Sequence, residues 1–181
     1  MKKFGLLLLT MVSFFVMTGQ NELPVDAKAG KVTFVKVVEA EGLTGKQLFD
    51  LTKSWGESQG FSVLEEKEGS TIKFNASIKV YYPGPKSGPT ENGTVTFTLF
   101  VGCKDGKYRY VLTDFVHTGE KRSTNGGKLE ASKPACGMVT MSSRGWVTIK
   151  NETKKKTDKL LADLVRVIKE DQNDPEKNED W

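Results

Sequence analysis

The clearest signal in the chain is a two-residue alternation. Ile72, Phe74, Ala76, Ile78, Val80 and Tyr82 alternate with Thr71, Lys73, Asn75, Ser77, Lys79 and Tyr81. Successive side chains of a strand point to opposite faces, so the pattern predicts a strand with one face on a core and one in water. Val95, Phe97, Leu99 and Val101 alternate with Thr94, Thr96 and Thr98 in a second strand, and Tyr108 to His117 forms a third. Asp105-Gly106 between these two is a two-residue hairpin signal. Pro83-Gly84-Pro85 ends the first strand, and a loop follows to Asn92. Upstream, Lys31 to Glu39 is dense in β-branched residues, and Phe61 to Glu65 is a short strand closed by the turn Glu68-Gly69.

Two stretches carry the helical period instead. Leu48, Leu51 and Trp55 share one face, and Thr44-Gly45-Lys46-Gln47 before them is a capping box. With Gly60 as a stop, a helix is expected over about 45–59. A second is expected over about 150–171, with Ile149, Thr153, Lys156, Leu160, Leu164 and Val167 on one face and Trp146 near its start. Residues 118–145 between strand and helix form a long Gly-, Ser-, Lys- and Thr-rich loop, in which Val139 to Met141 is a candidate short strand. The class is therefore α+β in the order β-α-β-β-β-β-α. A curved, largely antiparallel sheet would carry both helices on one face, leaving the other wet or against a partner.

The ends of the chain change the picture. Lys2 and Lys3 precede an apolar run from Phe4 to Met17, too short to span a membrane and the right length for the core of a signal peptide. Residues 1–19 are thus expected to be a cleaved leader, cut before Gln20 or nearer Gly30, and to send the protein to the periplasm, the outer membrane or beyond. A linker at 20–30, one domain at 31–171 and an acidic tail at 172–181 would follow. The net charge of +4 falls to +2 once Lys2 and Lys3 are removed. Such a balance argues against nucleic acid, which calls for a strongly basic surface. Cys103 and Cys136 are the two cysteines, and in an oxidising compartment they are expected to pair. That bridge would close a loop of about 33 residues and contribute roughly 3–4 kcal/mol.

Candidate chemistry is thin. His117 is the single histidine, so a site with two histidine ligands is excluded. If Asp105-Gly106 is the turn, Lys104 faces Lys107, Cys103 faces Tyr108, Val101 faces Tyr110, Leu99 faces Leu112, Phe97 faces Asp114 and Thr94 faces His117. Cys103 and His117 then lie on opposite faces, roughly 30 Å apart at about 3.3 Å per residue, and cannot form a nucleophilic pair. The same count sets Asp114 among apolar residues, where an unpaired carboxylate is costly. A bulge turning it outward, a structural partner and a role as catalytic acid are the alternatives. Tyr81, Phe100, Tyr108 and Tyr110 could form an aromatic patch, and Lys73, Asn75, Ser77 and Lys79 beside Thr94, Thr96 and Thr98 would make up the wet face.

Several stretches resemble a known family. Val32-Thr33-Phe34-Val35-Lys36-Val37-Val38-Glu39, the helix segment Lys53-Ser54-Trp55, and Lys107-Tyr108-Arg109-Tyr110 running into Thr113-Asp114-Phe115-Val116-His117 look like domain-of-unknown-function family 4468. This is an exported family of Gram-negative gut bacteria described as TBP-like in fold. The likeness covers about residues 30–170; the loop at 118–145, with Cys136, departs from it. The resemblance implies a TBP-like fold and an envelope location, and no catalytic residues. A fold-level likeness to a DNA-binding protein does not transfer that function.

The expected function is a non-enzymatic binding or interaction module of the cell envelope, meeting an envelope protein, a glycan or a lipid. No metal or cofactor is expected. Asp114, His117, Tyr81, Tyr108 and Tyr110 are the candidate contact residues. One alternative is a carrier with an apolar ligand among Trp55, Phe74, Ile78, Leu99 and Leu164. The other is an enzyme using Asp114 or His117.

Overall fold

A computed structural model describes residues 22–84, 88 and 90–173. The expected leader, at 1–19, and residues 174–181 of the expected tail lie outside the described residues. The elements run β1 (Phe34–Glu39), α1 (Gly45–Ser58), β2 (Ser62–Lys67), β3 (Thr71–Pro83), β4 (Thr90–Lys104), β5 (Lys107–Gly119), β6 (Gly127–Lys128) and α2 (Ser143–Gln172). The sheet order is β1-β5-β4-β3-β2, with β6 beside the far half of β5, and every pairing is antiparallel. The α+β class and the element order are as the alternation predicts, with the two-residue β6 added.

Local chemistry explains where the helices start. The Thr44 hydroxyl accepts from the Gln47 N–H at 3.2 Å, and the Gln47 side chain accepts from the Thr44 N–H at 2.8 Å. The Asp105 carboxylate at the hairpin turn accepts from the Gly45 N–H at 2.7 Å, adding an anion where the helix dipole favours one. α2 begins seven residues earlier than its periodicity shows, because Ser142 caps it and Trp146 already belongs to its buried face. Trp146, Ile149, Thr153, Thr157, Leu160, Leu161, Leu164 and Ile168 are buried along that face, while Lys156 is not.

The core lies between the helices and one face of the sheet. Trp55 packs edge-on against Phe61, which meets Phe74 and Phe97. Gly56 is required here, since a Cβ would come within 2.5 Å of the Phe74 ring. The Trp55 indole N–H donates to Asp163 at 3.0 Å and ties α1 to α2. Trp55, Phe74, Leu99 and Leu164, four of the residues offered as a ligand cavity, are therefore core filling, each 3% exposed or less. Ile78 alone is half-buried and lines an open groove beside Leu160 and Lys159.

Residues 118–145 are packed onto the domain. β6 pairs with Val116 and His117, Leu129 is buried and donates its N–H to the Phe115 carbonyl, and the Trp146 indole N–H donates to the Ala131 carbonyl at 3.0 Å. The extra strand is at Gly127–Lys128, and Val139–Met141, expected as that strand, is a turn.

Candidate functional site: the open face of the sheet

The hairpin register is as counted from Asp105-Gly106 up to Thr98, which faces Thr113. It then shifts: Thr96 faces Val116, so Asp114 and Phe115 together stand opposite Phe97. Asp114 is the extra residue of a bulge, at φ 60°. Aspartate tolerates this left-handed conformation better than most residues. Of the alternatives for Asp114, the bulge supplies the outward turn and Lys31 a structural partner. Its carboxylate points outward, half exposed, and pairs with the Lys31 ammonium at 2.6 Å. That pairing holds the Lys31 pKa above its ordinary value, chiefly through the hydrogen bond.

Adding one residue reverses the faces beyond it. Phe115 and His117 turn into the core, and His117 faces Val95 rather than Thr94. His117 and Cys103 thus share the helix-side face, contrary to the expected opposite faces. They remain eight residues apart along β4, about 26 Å, so the exclusion of a Cys103–His117 pair stands. His117 is fully buried, edge-on to Tyr82 and Trp146. Its Nδ1 accepts from the Gly126 N–H at 3.1 Å. A Cβ at Gly93 would overlap Nε2, and one at Gly126 would come within 2.9 Å of Nδ1, so two glycines clamp the ring. Desolvation lowers its pKa to about 4. Asp114 outside and His117 inside cannot converge on one reacting atom.

The tyrosines separate too. Tyr108 and Tyr110 face the helices and are buried, and burial pushes both hydroxyls up. Tyr81 and Phe100 are on the open face, Tyr81 opposite Asn92 and Phe100 opposite Lys73, eight residues apart along β3. The expected aromatic patch is therefore not formed. Tyr81 instead takes the Lys156 ammonium over its ring at 4.9 Å, and the same ammonium donates to the Lys79 carbonyl at 2.7 Å.

The expected disulfide is also absent; both thiols are free. Cys103 sits beside the hairpin turn, opposite Tyr108. Cys136 follows Ala135, whose N–H donates to the Gly126 carbonyl at the His117 end of the sheet. Such a separation far exceeds the 4.4–6.8 Å or so that Cα atoms of a disulfide allow. Burial raises the Cys103 thiol to about 11 and raises Cys136 as well.

What remains as a site is the open face itself. Its cross-strand rows follow from the register. Val35, Val111, Phe100 and Lys73 form one row, and Val37, Arg109, Gly102 and Thr71 form the next, toward the hairpin. Beyond the turn-side end stand Lys107 and Lys104, with Glu39 opposite Lys107. Gly102 has no side chain, and a depression of about 360 Å³ lies over it, lined by Val37, Phe100, Thr71, Lys104, Lys107 and Arg109 among others. A second depression of about 310 Å³ at the opposite end is lined by Lys79, Tyr81, Asn92, Thr94 and Thr118. Threonines 94, 96, 98 and 113 fill the rows between, as the wet-face pattern implies. Sequence reasoning missed Val35, Val37, Gly102, Lys107 and Arg109. The available signal was the register already counted, which aligns Gly102 with Arg109. Among the described residues there is no cluster of metal-ligating side chains, and no helix is long and apolar enough to cross a membrane.

Comparison with known proteins agrees with this architecture. Residues 34–118, from β1 nearly to the end of β5, match the family described as "Domain of unknown function (DUF4468) with TBP-like fold". The family resemblance drawn from the sequence is thereby shown over residues 34–118, a shorter stretch than the 30–170 expected. A crystal structure of a DUF4468 family protein from Bacteroides ovatus superposes with a TM-score of 0.63 at 19% identity, covering 82% of this chain and 91% of that one. A TBP-like protein from Parabacteroides distasonis gives 0.60 at 21% identity, covering 81% and 97%. No curated protein matches the chain.

Proposed function

We propose that this TBP-like domain is a non-enzymatic binding module of the bacterial cell envelope, and that the open face of its sheet makes the contact. The envelope assignment is supported by the leader-like pattern of residues 1–19. The observation that carries the face is a pair of half-exposed valines, Val35 at 55% and Val37 at 52%, continuous with Phe100 and Val111 and bordered by cations. Isolated apolar residues on a surface need no explanation, whereas a contiguous patch with a polar rim marks an interaction surface. The opposite face is already spent on the core, and the chemically versatile side chains are divided between the two sides of the sheet.

A photo-reactive benzoylphenylalanine placed at Thr98, in the middle of the open face, tests the proposal in the living source bacterium. The same group at Lys155, on the solvent side of α2, is the control. A discrete covalent adduct from Thr98 and none from Lys155 is expected. Adducts from α2 alone would refute the assignment of the face. Multiple turnover of a small molecule by the purified protein would refute the absence of catalysis.

A further inference from the structure

Resting on that reading of the open face, we propose that the depression over Gly102 receives an apolar side chain from an acidic segment of a partner protein, with carboxylates of that segment paired to Lys104, Lys107 and Arg109.

The argument starts from the charges. On β1 to β5 the open face carries Lys67, Lys73, Lys79, Lys104, Lys107 and Arg109 against Glu39 and Glu65, and the Asp114 charge is matched by Lys31. Lys73 pairs with Glu65 at 3.9 Å. Lys104, Lys107 and Arg109 form no ion pair among the described residues. Three cations without an ion pair among the described residues thus ring one depression, with Glu39 the one carboxylate across from them on β1. Its floor is a glycine backbone, and its walls include Phe100 and Val37. An anion there gains from all three cations, and arginine adds a fork that fits a carboxylate.

The shape selects the occupant. Small-molecule sites enclose most of their ligand. This one is a dent in a sheet face, so a free small acid would stay largely wet. A polypeptide brings its own cover, and it can fill the dent with one apolar anchor while its flanking residues exclude water. The other end of the face offers no such combination. There Tyr81 is occupied by Lys156, and the lining holds Lys79 and Glu120 together.

The probe is a fluorescein-labelled heptapeptide with a central phenylalanine between two sets of three glutamates, titrated with the full chain by fluorescence anisotropy. Saturable binding is expected, weakened at least fivefold when alanine replaces the phenylalanine and abolished when lysines replace the glutamates. Gly102→Val should fill the dent: its Cβ would lie 3.4 Å from the Phe100 ring, an ordinary contact, and valine suits a strand. Gly102→Val and Arg109→Glu should each weaken binding at least tenfold. Lys79→Glu, on the same face at the other end, should change it less than twofold. Thermal unfolding checks each variant, and Arg109→Glu decides the matter if Gly102→Val does not fold.

Four outcomes overturn the inference. They are no saturation, equal binding of the alanine peptide, equal loss with Lys79→Glu, and anionic phosphatidylglycerol vesicles binding in place of the peptide. None of them touches the cross-linking from Thr98, so the broader assignment of the face stands or falls separately.

Discussion

His117 looks like chemistry in the sequence and behaves as a pin in the structure. Its imidazole accepts a backbone N–H from the 118–145 segment and is held between Gly93 and Gly126, with Trp146 of α2 edge-on. Protonation would destroy that acceptor and place a charge on a fully buried ring. The folded pKa of about 4 lies below the usual 6.5, so the folded state prefers the neutral ring. The stability this confers is complete above about pH 6.5 and is lost as the pH falls toward 4, by up to about 3 kcal/mol for a shift of this size. Urea unfolding of the wild type should therefore weaken between pH 6.5 and 5. His117→Gln, which keeps an acceptor and cannot titrate, should show a flatter profile over the same range. Identical slopes would mean that the ring is solvated or paired in solution. A buried histidine of this kind has no sequence signature: its burial depends on which face of β5 it occupies, and a one-residue change upstream decides that.

That change is the bulge at Asp114, and it shows what was legible at the level of elements. The helix cap at Thr44, the hairpin at Asp105-Gly106 and the β3–β4 alternation rest on local chemistry, and each was readable from a few adjacent residues. The register of β4 against β5 was correct for as long as the pairing stayed regular. The bulge breaks that count through one unpaired residue, whose only trace in the sequence is a carboxylate in an apolar position. β6 and the early start of α2 were hidden for a related reason: they depend on contacts made by residues far apart in the chain, such as Gly127 with His117 and Trp146 with Ala131. The bulge makes a specific claim about side chains. At φ 60°, Asp114→Gly relieves the backbone and loses an exposed ion pair worth little in water, so it should change stability by less than about 1 kcal/mol. Asp114→Val places a β-branched residue in the left-handed region and should cost about 1–2 kcal/mol. Guanidinium unfolding of the two variants measures the difference. Equal stabilities would show that the bulge relaxes when the aspartate is removed.

At the scale of the molecule, the two faces of one sheet divide the work. The helix face holds the aromatic core, His117 and Cys103, and the open face holds most of the sheet's cations and the half-exposed valines. The same geometry governs the thiols. The expected Cys103–Cys136 bridge rested on an oxidising compartment and a chain with two cysteines, whereas a bridge depends on where the chain goes. The sheet carries Cys103 to the hairpin end and the 118–145 segment carries Cys136 to the other. Cys103 is buried with its thiol raised to about 11, so it should resist alkylation and disulfide exchange while the protein is folded. Cys136 is half-buried and should react first. A thiol reagent should thus titrate one group in native buffer and two in denaturant, and a reductant should leave the melting temperature of the freshly purified monomer unchanged. If instead no thiol titrates until a reductant is added, and the reductant then lowers the melting temperature, the two ends of the sheet must come together in solution. Both the core packing and the register of β4 on β5 would then differ from those described.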